Sequence, residues 1–265
     1  MSETNKVPVA ADLLAQGKSF EVLFWVGCAG SFDERAKSVT RSFVKILNHL
    51  NISYAVLGTE ESCTGDPAKR AGNEFLFQMQ AMSNIQIFNA YGVKRIVTTC
   101  PHCFNTLKNE YPSLGGNYEV MHHSVFLQEL IDQGKIKLQE GGAFKGKKIT
   151  YHDSCYLGRA NGVYEAPRKV LEVLDSELVE MKRCKTTGLC CGAGGAQMFK
   201  EPEKGNKDIN IERTEEALAT GATIIAAACP FCMTMMTDGV KGKEKEDTVK
   251  VYDLAELIAL NEGLV

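Results

Sequence analysis

The cysteines of this chain recur in two sets whose spacings nearly match. Four cysteines each have a counterpart 127 to 129 positions later, in the pairs Cys28 and Cys155, Cys63 and Cys190, Cys100 and Cys229, and Cys103 and Cys232. The neighbouring residues agree, because CPHC in the first set matches CPFC in the second, and LQELI after Phe126 matches LAELI after Asp253. A unit of this length is too long for a solenoid repeat, so the chain is predicted to consist of two homologous halves.

Composition places the chain among soluble globular proteins. Its 265 residues are 44% hydrophobic and 24% charged, which supplies apolar material for one large domain or two of ordinary size and excludes a disordered chain. The formal net charge of −3 leaves no basic surplus to bind a phosphate backbone. We therefore expect no nucleic-acid partner.

The sequence shows neither a membrane span nor a secretion signal. Its longest uncharged apolar run, residues 222–230, is far short of the roughly 20 residues that cross a bilayer. The first residues (MSETNKVPVA) lack the basic region, apolar core and cleavage site of a signal peptide. These features predict a cytoplasmic protein with no direct membrane span. Ten cysteines in a reducing compartment indicate metal ligands or redox catalysts rather than disulfides.

Each half alternates short β-rich runs with amphipathic segments. Strands are predicted at 20–25, 54–57, 95–98, 148–151 and 223–228, and helices at 31–50, 71–90, 164–174 and 210–219. Strands that alternate with helices are typical of parallel sheets whose two faces are covered. The predicted fold class is α/β, with two homologous halves related by a pseudo-twofold axis, each a small parallel-rich sheet flanked by helices.

The domain boundaries follow from the repeat and from local composition. Residues 1–19 are expected to form a solvated N-terminal tail, and residues 141–147 a linker rich in Gly and Lys. The first half then covers residues 20–140, and the second half covers residues 148–265.

Two Cys-Pro-x-Cys motifs, at Cys100 to Cys103 and at Cys229 to Cys232, each follow a predicted strand. The proline suits a first helical turn, so the thiols are expected at a helix N-terminus, where free N–H groups lower their pKa. Such a motif is compatible with a dithiol redox site, half of a zinc site or part of an iron–sulfur site. A dithiol oxidant would leave Cys28, Cys63 and Cys155 unexplained.

The adjacent pair Cys190 and Cys191 begins a CCGAGG segment. Adjacent cysteines do not readily pair with each other, so this segment suggests ligation of a multinuclear centre. Its glycines, Gly192 and Gly194 in particular, allow backbone N–H groups to approach sulfur closely. Because zinc takes four ligands, five soft thiolates favour an iron–sulfur cluster. The five are Cys155, Cys190, Cys191, Cys229 and Cys232.

This arrangement resembles the cysteine-rich CCG domain found in the B-type chain of heterodisulfide reductase. The segments ESCTGD, TTCPHCFNTLKNEYP, YHDSCYLGRANGVYEAPR and CPFCMTMM are most similar to the CCG region of membrane-linked iron–sulfur oxidoreductases, which pass electrons between electron-transfer flavoprotein and quinone. The resemblance covers roughly residues 22–258. It implies a non-cubane [4Fe-4S] cluster on the five cysteines of the second half.

The resemblance further implies an iron–sulfur electron-transfer subunit of a multi-protein oxidoreductase, with thiol/disulfide or quinone-linked chemistry left open beside a pure relay. The chain lacks the ferredoxin-type C-x-x-C-x-x-C-x-x-x-C-P run. We therefore expect a ferredoxin-like iron–sulfur subunit on a separate chain, membrane-bound or linked to electron-transfer flavoprotein, which would bring this chain to the membrane. The alternative is a metal-binding scaffold with structural zinc or cluster and no catalysis of its own.

The first half departs from the family pattern. It has Cys63-Thr64-Gly65 in place of CCG, so it provides only four cysteines: Cys28, Cys63, Cys100 and Cys103. Four thiolates can hold a cubane [4Fe-4S] cluster or a zinc ion, and both stay open.

Several other side chains have competing interpretations. His152 and Asp153 precede Cys155 and could either tune a cluster by hydrogen bonds or serve packing. Trp25 is interpreted as a core strand residue. Further polar residues are predicted to cap or start helices, namely Asp66, Arg70, His122 and His123.

Overall fold

The computed structural model describes residues 7–137, 141–201 and 204–264, and in them each half contains one four-stranded parallel sheet. The strands are β1 Val22–Trp25, β2 Tyr54–Ala55, β3 Arg95–Thr98, β4 Glu119–His122, β5 Lys148–Tyr151, β6 Glu177–Leu178, β7 Ile224–Ala227 and β8 Lys250–Asp253. The strand orders are β2-β1-β3-β4 and β6-β5-β7-β8. Identical orders of parallel strands confirm the predicted α/β fold with an internal duplication.

The sequence patterns identified the four inner strands and the outer strand β2, and they missed the outer strands β4, β6 and β8. All four residues of β1 and of β7 are buried, which explains their continuous apolar sequences. The missed strands β4, β6 and β8 each begin with an exposed charged residue and are short. Such edge strands lack a clear hydrophobic pattern, so only sheet pairing reveals them.

Helices cover the sheets. They are α1 Ala10–Ala15, α2 Gly27–Phe32, α3 Glu34–His49, α4 Asp66–Arg70, α5 Glu74–Ala90, α6 Pro101–Asn105, α7 His123–Asp132, α8 Glu165–Glu172, α9 Ile209–Ala219, α10 Pro230–Gly242 and α11 Leu254–Asn261. A π-helical turn, Thr106–Glu110, continues α6. Among the residues described, no helix combines the length and the apolar character needed to span a membrane.

The helix predicted at residues 31–50 is two helices in the structure. Asp33 has an extended backbone conformation, and its carboxylate accepts the N–H of Ala36 over 2.8 Å. This N-cap starts α3 and separates it from α2. Cys28 consequently lies in the short helix α2, directly after the end of β1.

The N-terminal tail predicted for residues 1–19 is attached to the first sheet in the part that the structure describes; residues 1–6 lie outside that part. Ala10 is fully buried at the start of α1, and its N–H donates to the carbonyl of Val56 over 2.9 Å. The Val56 N–H in turn donates to the carbonyl of Pro8. This pairing extends the edge of the first sheet, which ties the segment to the domain.

Helices of one half pack against helices of the other half at the boundary between the two. Helix α3 packs on α11, and their repeat counterparts α8 and α7 pack on each other. This reciprocal packing is what a pseudo-twofold axis between the halves requires. A bidentate ion pair joins Arg35 of α3 to Glu256 of α11, with N–O distances of 2.5 and 2.6 Å.

A second polar contact across the boundary is entirely buried. His123, which starts α7 as predicted, donates from Nε2 to the carboxylate of Asp253 over 2.9 Å. The side chains are 0% and 1% exposed. Asp253 also accepts the N–H of Ala255 and so caps α11. A buried carboxylate depends on such donors because it has lost its hydration.

We expect His123→Leu to lower the free energy of unfolding by about 1–3 kcal/mol, because Asp253 would lose a buried hydrogen-bond donor. Urea denaturation at matched metal content measures the change. His49→Leu is the matched control, since His49 is exposed at the end of α3. Equal stability of the two variants would show that the buried contact contributes nothing.

Candidate metal centres

The strands of each sheet deliver cysteines to one edge. Cys100 and Cys229 each lie two residues after the inner strands β3 and β7, and both form the N-cap of the following helix. Cys28 and Cys155 follow the neighbouring strands β1 and β5. Because the carboxyl ends of parallel strands meet at one edge of a sheet, each half collects its thiols there, as ligand sites in open α/β folds generally do.

In the second half, contacts between sulfurs link all five predicted cysteines. Cys191 and Cys232 have their Sγ atoms 3.3 Å apart. The thiols of Cys155, Cys190, Cys191, Cys232 and Cys229, in that order, each lie close enough to the next to shift its pKa. The structure therefore brings these five side chains together in one cluster, the C-terminal centre.

Backbone groups support this centre. The N–H of Gly192 donates to Sγ of Cys190 over 3.3 Å, with Gly192 at φ +96° in the left-handed region that favours glycine. A Cβ on Gly194 would lie 3.9 Å from Sγ of Cys155. Both glycines thus border the thiols of this centre.

The four cysteines of the first half form a matching N-terminal centre. Cys28 lies close enough to Cys63 to lower the pKa of its thiol, and Cys103 close enough to Cys100 to raise the pKa of that thiol. The N–H of Gly65 donates to Sγ of Cys63 over 3.4 Å, as its counterpart does in the second half. The four residues also line one cavity together with their neighbours.

Thr64 occupies the place that Cys191 has in the second half. Its hydroxyl Oγ1 lies 3.9 Å from Sγ of Cys103, the counterpart of Cys232. The threonine thus keeps the contact geometry and replaces a thiol with a neutral hydroxyl. Neutral oxygen is a poor ligand for soft metals beside thiolates.

The environment favours a thiolate at one cysteine of each CCG or CTG segment. Hydrogen bonds from Cys155 and Cys191 lower the pKa of the Cys190 thiol far below its usual range. A hydrogen bond from Cys28 lowers the pKa of Cys63 to about 6, with the Gly65 N–H acting in the same direction. Thiolates at these positions are ready to bind a metal.

His152 lies within reach of the C-terminal centre as a hydrogen-bond donor. A ring nitrogen and the sulfurs of Cys191 and Cys232 are all within 4.8 Å of one another. Arg213 Nε donates to Nδ1 of His152 over 2.9 Å, and burial together with the Arg213 charge lowers the pKa of the imidazole to about 3. The neutral ring therefore carries its hydrogen on Nε2. That buried Nε2 has no hydrogen-bond partner among the described residues.

Trp25 is the counterpart of His152, since each stands three residues before the first cysteine of its half. Its indole is fully buried, as expected of a core residue, yet its Nε1 has no hydrogen-bond partner in the described part of the chain. A Cβ on Gly27 would lie 3.8 Å from this nitrogen and 3.3 Å from Sγ of Cys103. Both halves thus hold an unpartnered ring N–H near their thiols. Aligning the two repeats would have revealed that Trp25 and His152 occupy equivalent positions.

The contacts of Asp153 suit packing, one of the two roles considered for it, better than tuning of a cluster. Its two carboxylate oxygens accept from the Arg168 guanidinium over 2.9 and 3.0 Å. The N–H of Lys185 donates to the same carboxylate over 2.7 Å. The hydrogen bonds described for Asp153 therefore hold the loop around the centre, and none of them reaches a cysteine.

Asp66 is the first residue of α4, but its carboxylate contacts other side chains and does not cap the helix. Its carboxylate accepts from Nδ1 of His102 over 3.1 Å and from Nε of Arg70 over 3.1 Å, while Gly65 is the N-cap of α4. Sequence analysis did not identify His102 as a site residue. Burial opposes its protonation, but hydrogen bonds to Asp66 and Cys229 raise the pKa of His102 to about 10.

The donor set suits an iron–sulfur group in the C-terminal centre. Five thiols exceed the four ligands that a zinc ion accepts. The unpartnered Nε2–H of His152 and the Gly192 N–H are the kind of donors that hydrogen-bond to cluster sulfurs. The four thiols of the N-terminal centre suit a cubane cluster or zinc equally well.

Comparison with known sequences places the chain among cysteine-rich proteins. It is 49% identical over 255 residues to the probable iron-sulfur-binding oxidoreductase FadF of Bacillus subtilis, covering 96% of this chain and 36% of that protein. It is 48% identical over 248 residues to the EtfAB:quinone oxidoreductase of Syntrophomonas wolfei, covering 91% of this chain and 34% of that protein. The chain thus spans about a third of the length of these relatives.

A more distant relative is the D-type chain of the dihydromethanophenazine:CoB--CoM heterodisulfide reductase of Methanosarcina barkeri. The two are 35% identical over 263 residues, covering 97% of this chain and 62% of the relative. The family described as the CCG cysteine-rich domain matches twice, at residues 22–108 and 149–237. These two matches cover one duplicated unit each and include all nine cysteines of the two centres, so the chain belongs to the CCG cysteine-rich domain family.

Proposed function

We propose that this chain is an iron–sulfur electron-transfer subunit of a multi-protein oxidoreductase. The observation that supports this most is the gathering of five thiols, Cys155 to Cys232, at the carboxyl edge of one sheet. A structural zinc ion takes only four ligands, so five neighbouring thiols are more than a zinc scaffold needs. The relatives named as iron–sulfur and quinone oxidoreductases support the same class of function.

The C-terminal centre would hold a non-cubane [4Fe-4S] cluster through its five cysteines. Such a cluster supplies reversible one-electron chemistry. Gly192 would donate its N–H to a ligand sulfur, and the Nε2–H of His152 would donate toward the same group. Arg213 donates to Nδ1 of the imidazole, which leaves the hydrogen on Nε2 available to the centre. The surrounding side chains are largely buried, which limits access of water to the centre.

The N-terminal centre would hold a simpler group on four thiolates. A cubane [4Fe-4S] cluster there would relay electrons, whereas zinc would only stabilise the fold. Trp25 would donate its N–H toward this centre, as His152 does in the other half.

The partners follow from the relatives. One is named an EtfAB:quinone oxidoreductase, and another a probable membrane-anchored ferredoxin of Chromohalobacter salexigens. We propose that a ferredoxin-like iron–sulfur module, membrane-bound or linked to electron-transfer flavoprotein, exchanges electrons with this chain. A heterodisulfide reductase relative favours thiol/disulfide chemistry as the second candidate for what the C-terminal centre does beyond relay.

Anaerobic purification tests the proposal. We expect a brown protein with iron and acid-labile sulfide in amounts that match at least one [4Fe-4S] cluster per chain. Electron paramagnetic resonance of the reduced protein is expected to show a paramagnetic cluster. The metal-free chain, reconstituted with iron and sulfide, is the positive control.

A colourless protein with stoichiometric zinc and no sulfide, even after reconstitution, would contradict the proposal. That result would assign the thiols to a structural scaffold.

A second experiment on the cluster-loaded protein separates quinone-linked from thiol/disulfide reactions. A quinone or an organic disulfide is added to the reduced protein, and reoxidation of the cluster is followed.

A further inference from the structure

His102 belongs by sequence to the N-terminal centre and lines its cavity, but it also reaches the other centre. It lies between Cys100 and Cys103 on α6, and its side chain is 7% exposed. Its imidazole lies within hydrogen-bonding reach of the Cys229 thiol of the C-terminal centre. A Cβ on Gly194, in the CCGAGG segment, would lie 3.7 Å from Cε1 of the same ring. The ring therefore crosses the boundary between the halves.

The ring is held in this position from several sides. Asp66 accepts from its Nδ1, and Arg70 in turn donates to Asp66. The ring centroid of Tyr156 lies 4.1 Å from that of the imidazole, and the ring of Phe231 lies edge-on to the imidazole with 5.0 Å between the centroids. With Nδ1 committed to a carboxylate, the hydrogen on Nε2 is the one that a thiolate at Cys229 accepts.

The second half has no equivalent of the His102 and Asp66 pair. The repeat counterpart of His102 is Phe231, and the counterpart of Asp66 is Ala193. Phe231 reaches across the boundary in the same way, because it lines the cavity of the N-terminal centre. A phenyl ring has no N–H and an alanine has no carboxylate. The C-terminal centre therefore receives a donor that the N-terminal centre lacks.

We propose that His102 is a positioning residue of the C-terminal centre, whose hydrogen bond to Cys229, oriented by Asp66, makes that centre easier to reduce. This inference rests on the proposed iron–sulfur function. A donor on a ligand thiolate withdraws negative charge and so stabilises the more negative reduced cluster. The C-terminal centre takes up one electron from the reductant, and no bond is made or broken in this step.

The repeat itself supplies the test substitutions. His102→Phe introduces the residue of the other half and removes the donor, whereas His102→Gln keeps an N–H near the position of Nε2. Asp66→Ala introduces the counterpart Ala193 and frees the imidazole to rotate. His49→Phe makes the same chemical change on an exposed residue and serves as the control. The iron content of every variant is measured first.

The readout is a redox titration with dithionite, followed by electron paramagnetic resonance. We expect the midpoint potential of the C-terminal centre to become more negative in His102→Phe, and less so in Asp66→Ala. It is expected to stay near the wild-type value in His102→Gln and His49→Phe. Where the N-terminal centre holds a cubane cluster, its midpoint is recorded in the same titration and is expected to shift less than that of the C-terminal centre.

A fully iron-loaded His102→Phe protein with an unshifted C-terminal midpoint overturns the inference, as do equal shifts of both centres. If His102→Phe does not hold iron, Asp66→Ala decides: a negative shift supports the role of His102, and an unshifted midpoint overturns it. A wild-type protein without an iron–sulfur cluster overturns the proposed function and this inference with it. The two failures are therefore distinguishable.

Discussion

Replacing Cys191 with alanine is expected to remove or convert the cluster of the C-terminal centre while the chain stays folded and soluble. Cys191 is the thiol that the first half lacks, and its Sγ lies 3.3 Å from that of Cys232. Without it the second half retains four thiols, which suit a cubane cluster or zinc and not a five-thiolate centre. Loss of one buried sulfur costs about 1 kcal/mol of packing, too little to unfold a domain of this size.

Iron and sulfide analysis and electron paramagnetic resonance measure this effect. Cys191→Thr is the informative companion, because Thr64 shows that threonine fits the equivalent place and contacts the equivalent cysteine. Cys184→Ala is the control, since Cys184 has no counterpart in the repeat. An unchanged iron content with an unchanged spectrum in Cys191→Ala would contradict the assignment of five ligands.

The double variant Cys155→Ala, Cys191→Ala is expected to leave only the N-terminal centre loaded. Two of the five thiols of the second half are then missing, and both of them lower the pKa of Cys190 in the wild type. What remains is expected to be a four-thiolate centre, with either cubane spectroscopic properties or zinc. Metal analysis of this variant beside the wild type gives the content of each half by difference.

The reverse substitution makes the same point from the other half. Thr64→Cys restores the CCG pattern at Cys63, and a sulfur at this position would approach Cys103. We expect it to add a fifth thiolate to the N-terminal centre and to change its spectrum toward that of the C-terminal centre. If the double variant already shows the five-cysteine signature, the asymmetry between the halves is wrong and both must be treated alike.

Local sequence patterns sufficed for much of this architecture. The spacing of the cysteines revealed the duplication, and apolar runs ending before a cysteine located the inner strands β1, β3, β5 and β7. These signals are local, because a buried parallel strand needs a continuous apolar run wherever it lies in the fold. The short edge strands β4, β6 and β8 were missed, because they have no clear hydrophobic pattern and form by pairing with a neighbouring strand. The attachment of the N-terminal segment was missed for a similar reason, since it depends on hydrogen bonds of Val56 to Pro8 and Ala10.

The sequence by itself determined the two α/β halves, the nine framework cysteines and the difference between Thr64 and Cys191. Only the tertiary structure decided which polar side chains meet those thiols. His102 serves the opposite half, Asp66 orients it, and Trp25 and His152 place unpartnered N–H groups near the two centres. The reason is physical: a motif encodes the groups at the end of its own strand, whereas contacts across the boundary arise from the packing of two halves around their pseudo-twofold axis.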